Sequence, residues 1–126
     1  MTIERCQIGF ENFWGEDLES VLILTDEITS NIPTKQMYLY DVKDKQIIPE
    51  ATSFYYRVEG PNYWVVHFIT KSGEKLRSAI GFSCSIKPED HHKVILRLNG
   101  ESKRLFTNFA SGRSCSTDII QDHGKN

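Results

Sequence analysis

The densest group of chemistry-bearing side chains is Asp90-His91-His92, with Glu89 before it and Cys84 six residues upstream. Zinc accepts thiolate, imidazole and carboxylate ligands of this kind. Adjacent residues of a strand point to opposite faces, so His91 and His92 could converge only from a turn. No second ligand pair recurs, and His67 and His123 stand alone. The reading is histidines in a solvated turn, with no metal and no cofactor. A cysteine nucleophile needs a histidine base and an orienting group. Cys84 instead sits in an alternating apolar stretch, where a buried cysteine is ordinary. Ser72, Ser111 and Ser114 lie in turn-like segments without a G-x-S-x-G elbow, and no glycines form a phosphate-cradling loop. No catalytic residue is assigned, and the chain is expected not to be an enzyme.

The aromatic side chains are more suggestive. Two Trp, five Tyr and seven Phe include Phe10, Phe13 and Trp14 near the amino end, Tyr38-x-Tyr40, Phe54-Tyr55-Tyr56 and Tyr63-Trp64. In a strand Tyr38 and Tyr40 share a face, and Phe54 and Tyr56 oppose Tyr55. Tyr63, Val65, His67 and Ile69 then share one face, and Trp64, Val66, Phe68 and Thr70 the other. Folding needs one apolar face per strand, so the second is a surplus. Tyrosine and tryptophan bury apolar area while keeping a polar handle, which suits a surface that stacks on a sugar ring or a lipid headgroup. The candidate ligand-binding residues are Trp14, Tyr38, Tyr40, Tyr55 and Tyr63, with Asp41 and Asn62 as hydrogen-bonding partners. The segment Phe10-Glu11-Asn12-Phe13-Trp14-Gly15 is a candidate binding loop, and Phe13 and Trp14 are candidate interface anchors.

These residues must be carried by strands, because most segments alternate with period two and no stretch of ten residues carries a helical stripe. Strands are expected at Val21–Thr25, Met37–Val42 and Thr52–Val58, and at Gln46–Ile48 with Pro49 as a stop. Tyr63–Thr70 is the strongest. Lys71-Ser72-Gly73 turns it into Glu74–Ile80, and Phe82–Ile86 follows a bend at Gly81. Pro88-Glu89-Asp90 can start one helical turn. Lys93–Leu98 leads through an Asn99-Gly100 type I′ turn into Lys103–Phe109, and Cys115–Ile120 ends the fold. Roughly seven to nine short strands with regular turns predict an all-β, antiparallel two-sheet β-sandwich, immunoglobulin-like or of similar Greek-key layout. Trp64, Val66, Phe68, Phe82, Cys84, Val94, Leu96 and Leu98 are its expected core. Residues 1–120 form a single domain, and 121–126 a disordered tail.

At 126 residues, 39% apolar and 25% charged, the chain can fill one core. Its formal charge of -2 excludes a strongly basic binder. Seven carboxylates against Arg5 in residues 1–27, and ten Lys and Arg against six acids from Trp64 onward, leave an asymmetry. Pairing of acidic with basic strands accounts for it most simply. The basic half is the basis of a weaker reading, single-stranded nucleic-acid binding, with Arg97 facing Arg104 or Lys103 across a hairpin. No run is long and apolar enough for a spanning helix, and no secretory signal is recognisable. A cytoplasmic location, or export without such a signal, is expected, and Cys6, Cys84 and Cys115 are read as reduced thiols, with a Cys84–Cys115 bridge as the alternative. The strand spacing resembles in layout the immunoglobulin-like sandwiches and the small acidic lipid-binding sandwiches associated with pore-forming partners. The expected function is a binding module for a carbohydrate or lipid headgroup. The alternative is a homo-oligomeric assembly subunit in which the same tyrosines are buried between chains.

Overall fold

The alternation read from the sequence is realised along most of the chain. The structure, a computed structural model, describes residues 3–26, 34–57 and 61–122. Its strands are β1 (Ile3–Phe13), β2 (Leu18–Asp26), β3 (Thr34–Val42), β4 (Ile47–Arg57), β5 (Trp64–Thr70), β6 (Lys75–Ser78), β7 (Lys93–Asn99), β8 (Arg104–Phe109) and β9 (Ser114–Gln121). They form one sheet in the order β3-β2-β5-β6-β9-β8-β7-β1-β4, curled into a nearly closed barrel.

This corrects the antiparallel two-sheet sandwich. β1 pairs parallel with β7 while the other pairs are antiparallel, so the sheet is mixed. Alternation fixes which side chains share a face but not which distant strand becomes the neighbour. The register Gln7↔Lys93 joins residues far apart in sequence. The N-terminal segment is a strand as far as Phe13, with Phe10 and Asn12 buried, so the expected binding loop shrinks to the bend that follows it.

The core lies inside the curled sheet. Alternate residues of β5 (Trp64, Val66, Phe68) and of β7 (Val94, Leu96, Leu98) are buried, as expected, and so is Cys84. Phe82 is half-buried against that core. The Trp64 indole N–H donates to the Cys84 carbonyl at 3.0 Å, which satisfies its polar edge. Pro49 lies inside β4 rather than ending it, because β4 is an edge strand and a missing N–H there is tolerated. Opposite it, Gly9 lets β4 fold over β1; a Cβ would come within 2.7 Å of the Pro49 carbonyl oxygen.

Other local readings change. Phe82–Ile86 is irregular, with one bridge, Tyr63↔Ser83. β7 and β8 pair as far as Asn99↔Arg104, so four residues connect them and no two-residue turn forms. Gly100 is required there by space: a Cβ would overlap the Trp14 carbonyl, and the Gly100 N–H donates to the Phe13 carbonyl at 2.9 Å. The Pro88–Asp90 turn is a single 3-10 turn. Cys84 and Cys115 form a disulfide with Cα atoms 6.1 Å apart, which overturns the expectation of reduced thiols; Cys6 is free and buried. Gln121 lies in β9 and the Asp122 N–H donates to the Lys75 carbonyl, so those two residues belong to the fold. Val58, expected to end the Thr52–Val58 strand, and residues 123–126 of the expected tail lie outside the described residues.

Candidate ligand-binding site

Strand β3 ends the sheet, and its two phases carry different side chains. Met37 and Leu39 turn inward and pack on the core. Tyr38 and Tyr40 therefore turn outward, 53% and 67% exposed. Their rings are nearly parallel, 10° between planes, with centroids 6.0 Å apart. Cross-strand register carries the outer face inward from this edge. One row runs Tyr40, Ser20, Ile69, Lys75, and the next Tyr38, Leu22, His67, Arg77.

Ser20, Leu22, Tyr38, His67, Ile69, Lys75 and Asp122 line a groove of about 230 Å³ over these rows. One wall is aromatic and the floor is mostly aliphatic. The opposite wall is polar: His67 Nδ1 lies 3.2 Å from Asp122 Oδ2, and Arg77 Nε 3.9 Å from Asp122 Oδ1. The alternation of β5 named His67 and Ile69 as companions of Tyr63, but nothing in the sequence linked them to Tyr38. Nothing in the sequence marks Asp122, which falls in the segment expected to be a tail.

The other candidate residues are scattered. Tyr63 is exposed just before β5, in the same alternation phase as His67 and bridged to Ser83, and Tyr55 is exposed on β4 at the opposite edge of the sheet, across from Arg5. Trp14 is half-buried and meets Phe68 edge-on at 5.1 Å, and the Arg97 guanidinium lies 4.1 Å above the Phe13 ring. Both anchors are thus engaged within the chain. Asn62 is 2% exposed; its side-chain oxygen accepts the Ile86 N–H at 3.0 Å, which makes it a structural clamp rather than a ligand contact. Asp41 is exposed in a left-handed conformation, φ 53°, and accepts Lys71 Nζ at 2.6 Å. That hydrogen bond holds the Asp41 carboxyl below the usual carboxylate range and raises the Lys71 ammonium.

The second concentration of polar chemistry surrounds the two histidines. His91 and His92 adopt left-handed backbone conformations in succession, φ 56° and 57°. His92 Nδ1 lies 2.7 Å from the Tyr56 hydroxyl and its Nε2 3.6 Å from Glu4 Oε1. Nearby, fully buried Asp90 accepts the Lys87 N–H at 2.8 Å, the Ser111 hydroxyl and Arg113 Nη2. Burial pushes the Tyr56 phenol up to about 12, with Cys6, Glu4 and Asp90 adding to it; burial, then Asp90, pushes the Cys6 thiol up to about 12. Both groups are neutral at ordinary pH. This network ties a strained turn to the barrel. Among the described residues no group of three or more His, Cys, Asp or Glu is placed to hold a metal ion.

The arginines of the basic half are engaged. Arg97 pairs with Glu11 at 3.4 Å, Arg104 with Asp118 at 2.6 Å and Arg113 with Asp90 at 3.1 Å. Arg97 faces Phe106 across the hairpin, not Arg104. Of these, Arg97–Glu11 joins the acidic N-terminal strand to the basic half, and the other two pairs lie within the basic half. No helix among the described residues is long and apolar enough to cross a membrane. Protein-family models give no match to the chain, and no characterised protein shows significant sequence similarity to it, so the groove's own chemistry carries the functional argument.

Proposed function

We propose that this chain is a non-catalytic binding module whose ligand surface is the outer-face groove between Tyr38 and Asp122. Its ligand presents a polyhydroxylated ring, either in a free glycan or in a lipid headgroup. The carrying observation is the exposed Tyr38 ring that walls a groove on a face the core does not use, with the Tyr40 ring nearly parallel to it on the same strand. Such rings stack on the C–H face of a sugar, while His67 and Asp122 offer hydrogen-bonding groups to its hydroxyls. Of the residues expected to bind ligand, Tyr38 and Tyr40 keep that role and Tyr63 extends the same face.

The test is chemical-shift perturbation against a panel of neutral and acidic oligosaccharides and glycolipid vesicles, with wild type beside Tyr38→Ala and Tyr40→Ala. Saturable shifts at Ser20, Leu22 and His67 that vanish in the variants support the module. Their absence for every probe rejects it. A second reading is favoured by the position of β3 at the sheet edge. In it a second copy covers Tyr38 and Tyr40 in a homo-oligomer. Sedimentation across concentration separates the two, since the variants would then dissociate an oligomer rather than lose a ligand.

A further inference from the structure

Resting on that assignment of the groove, we propose that its ligand ring carries an anionic substituent, a carboxylate, sulfate or phosphate, which is held by Lys75 at the wall facing the tyrosines. The groove sets the Tyr38 ring at one side and, in the cross-strand row Tyr40, Ser20, Ile69, Lys75, the Lys75 ammonium at the other. Ser20 and Ile69 form the floor between them. A neutral ring would use only the aromatic side of the groove.

Charge bookkeeping within the groove points the same way. Asp122, the one carboxylate among the lining residues, is already approached by Arg77 and His67 from its two oxygens. Lys75 is exposed and makes no ion pair among the described residues. The lysines at the neighbouring rim behave differently: Lys71 is held by Asp41 and Lys43 by Asp17 at 3.8 Å. Lys75 is thus the cation of this rim left available to a ligand. An ammonium on a flexible stem is a point charge that accepts carboxylate, sulfate or phosphate alike, so the geometry selects charge before shape. The Ser20 hydroxyl on the floor adds a donor to an acidic oxygen.

The experiment compares a uronic-acid tetrasaccharide with a neutral tetrasaccharide of the same linkage by calorimetry, using wild type, Lys75→Gln and Tyr38→Ala. A charge-assisted contact predicts roughly tenfold tighter binding of the acidic sugar at low salt. Lys75→Gln is expected to bring the two sugars to parity, as is 0.5 M salt, with the loss falling on the acidic sugar. Vesicles bearing an acidic or a neutral glycolipid form a further arm that distinguishes a membrane headgroup from a free glycan. Equal affinity for the two sugars in wild type, or an acidic preference that survives Lys75→Gln, overturns the proposal. If that equal binding is still lost in Tyr38→Ala, the groove assignment stands alone. If no sugar or vesicle binds while the variants stay folded, both are rejected.

Discussion

Two aromatic pairs with the same spacing sit on the two edge strands of the sheet. Tyr38 and Tyr40 on β3 have ring centroids 6.0 Å apart, and so do Phe54 and Tyr56 on β4. The first pair is exposed and the second is 1% exposed at each residue. The difference comes from the alternate residues. On β3 these are Met37 and Leu39, which fill the core and send the tyrosines out. On β4 they are Ser53 and Tyr55, so Phe54 and Tyr56 are the more apolar phase and turn inward. A strand commits whichever of its faces loses less by burial. An outward aromatic pair is then a surplus that folding did not demand.

The largest expected effect breaks that comparison from the buried side. Phe54→Ala removes a ring packed edge-on against Trp64 at 5.4 Å. It should destabilise the fold by about 3–5 kcal/mol, read as a lower urea midpoint at unchanged slope. Trp64→Ala belongs in the same range. A loss under about 1 kcal/mol at Phe54 would mean that β4 does not bury the phase assigned to it.

How far the sequence reveals this molecule follows from the same physics. The faces of β5 and β7 were legible residue by residue, because Trp64-x-Val66-x-Phe68 and Val94-x-Leu96-x-Leu98 leave one phase clearly more apolar. Partner choice was not legible: nothing local in Gln7 or Lys93 announces a parallel pairing. Glycine and proline were misread where their role is spatial. Gly100 makes room for the Trp14 backbone, and Pro49 is tolerated because β4 has a free edge. Tyr38 and Tyr40 were found as a pair by alternation. Their companions Ser20, Lys75 and Asp122 come from three other segments, and only the register of the sheet assembles them.

The next effect concerns the disulfide, which spans 31 residues and ties the irregular segment before β7 to β9. Reduction should lower stability by roughly 2–4 kcal/mol, through release of loop-closure entropy in the unfolded chain. Thermal melts with and without reductant measure it, and a Cys84→Ser, Cys115→Ser double variant should be insensitive to reductant. The buried Tyr56 neighbourhood supplies a smaller, pH-dependent term. The Tyr56 phenol and the Cys6 thiol are both raised in the folded protein, from 10.0 and 9.0 to about 12. The unfolded chain therefore releases these protons first, and the folded state holds more protons in between. Stability should be level below pH 9 and fall as pH rises from about 9 to 12. Tyr56→Phe removes its share of that fall and also forfeits the hydrogen bond to His92, about 1 kcal/mol at neutral pH. An unchanged alkaline midpoint in a Cys6→Ala, Tyr56→Phe double variant would locate the sensitivity elsewhere.

The smallest effect on stability sharpens the comparison most. Tyr38→Ala and Tyr40→Ala delete side chains from the outer phase of β3, where solvent already reaches both rings. Each should change stability by no more than about 0.5 kcal/mol, the usual range for surface substitutions. Their mutual contact adds only about 0.5–1.5 kcal/mol where an aromatic pair is well packed, and exposure reduces that gain. The double variant should therefore melt within a few degrees of wild type while losing any ligand bound in the groove. A double variant destabilised as much as Phe54→Ala would show that the outer tyrosines hold the edge strand in place. The two aromatic pairs would then be alike in purpose, and the surplus on which the groove is assigned would disappear.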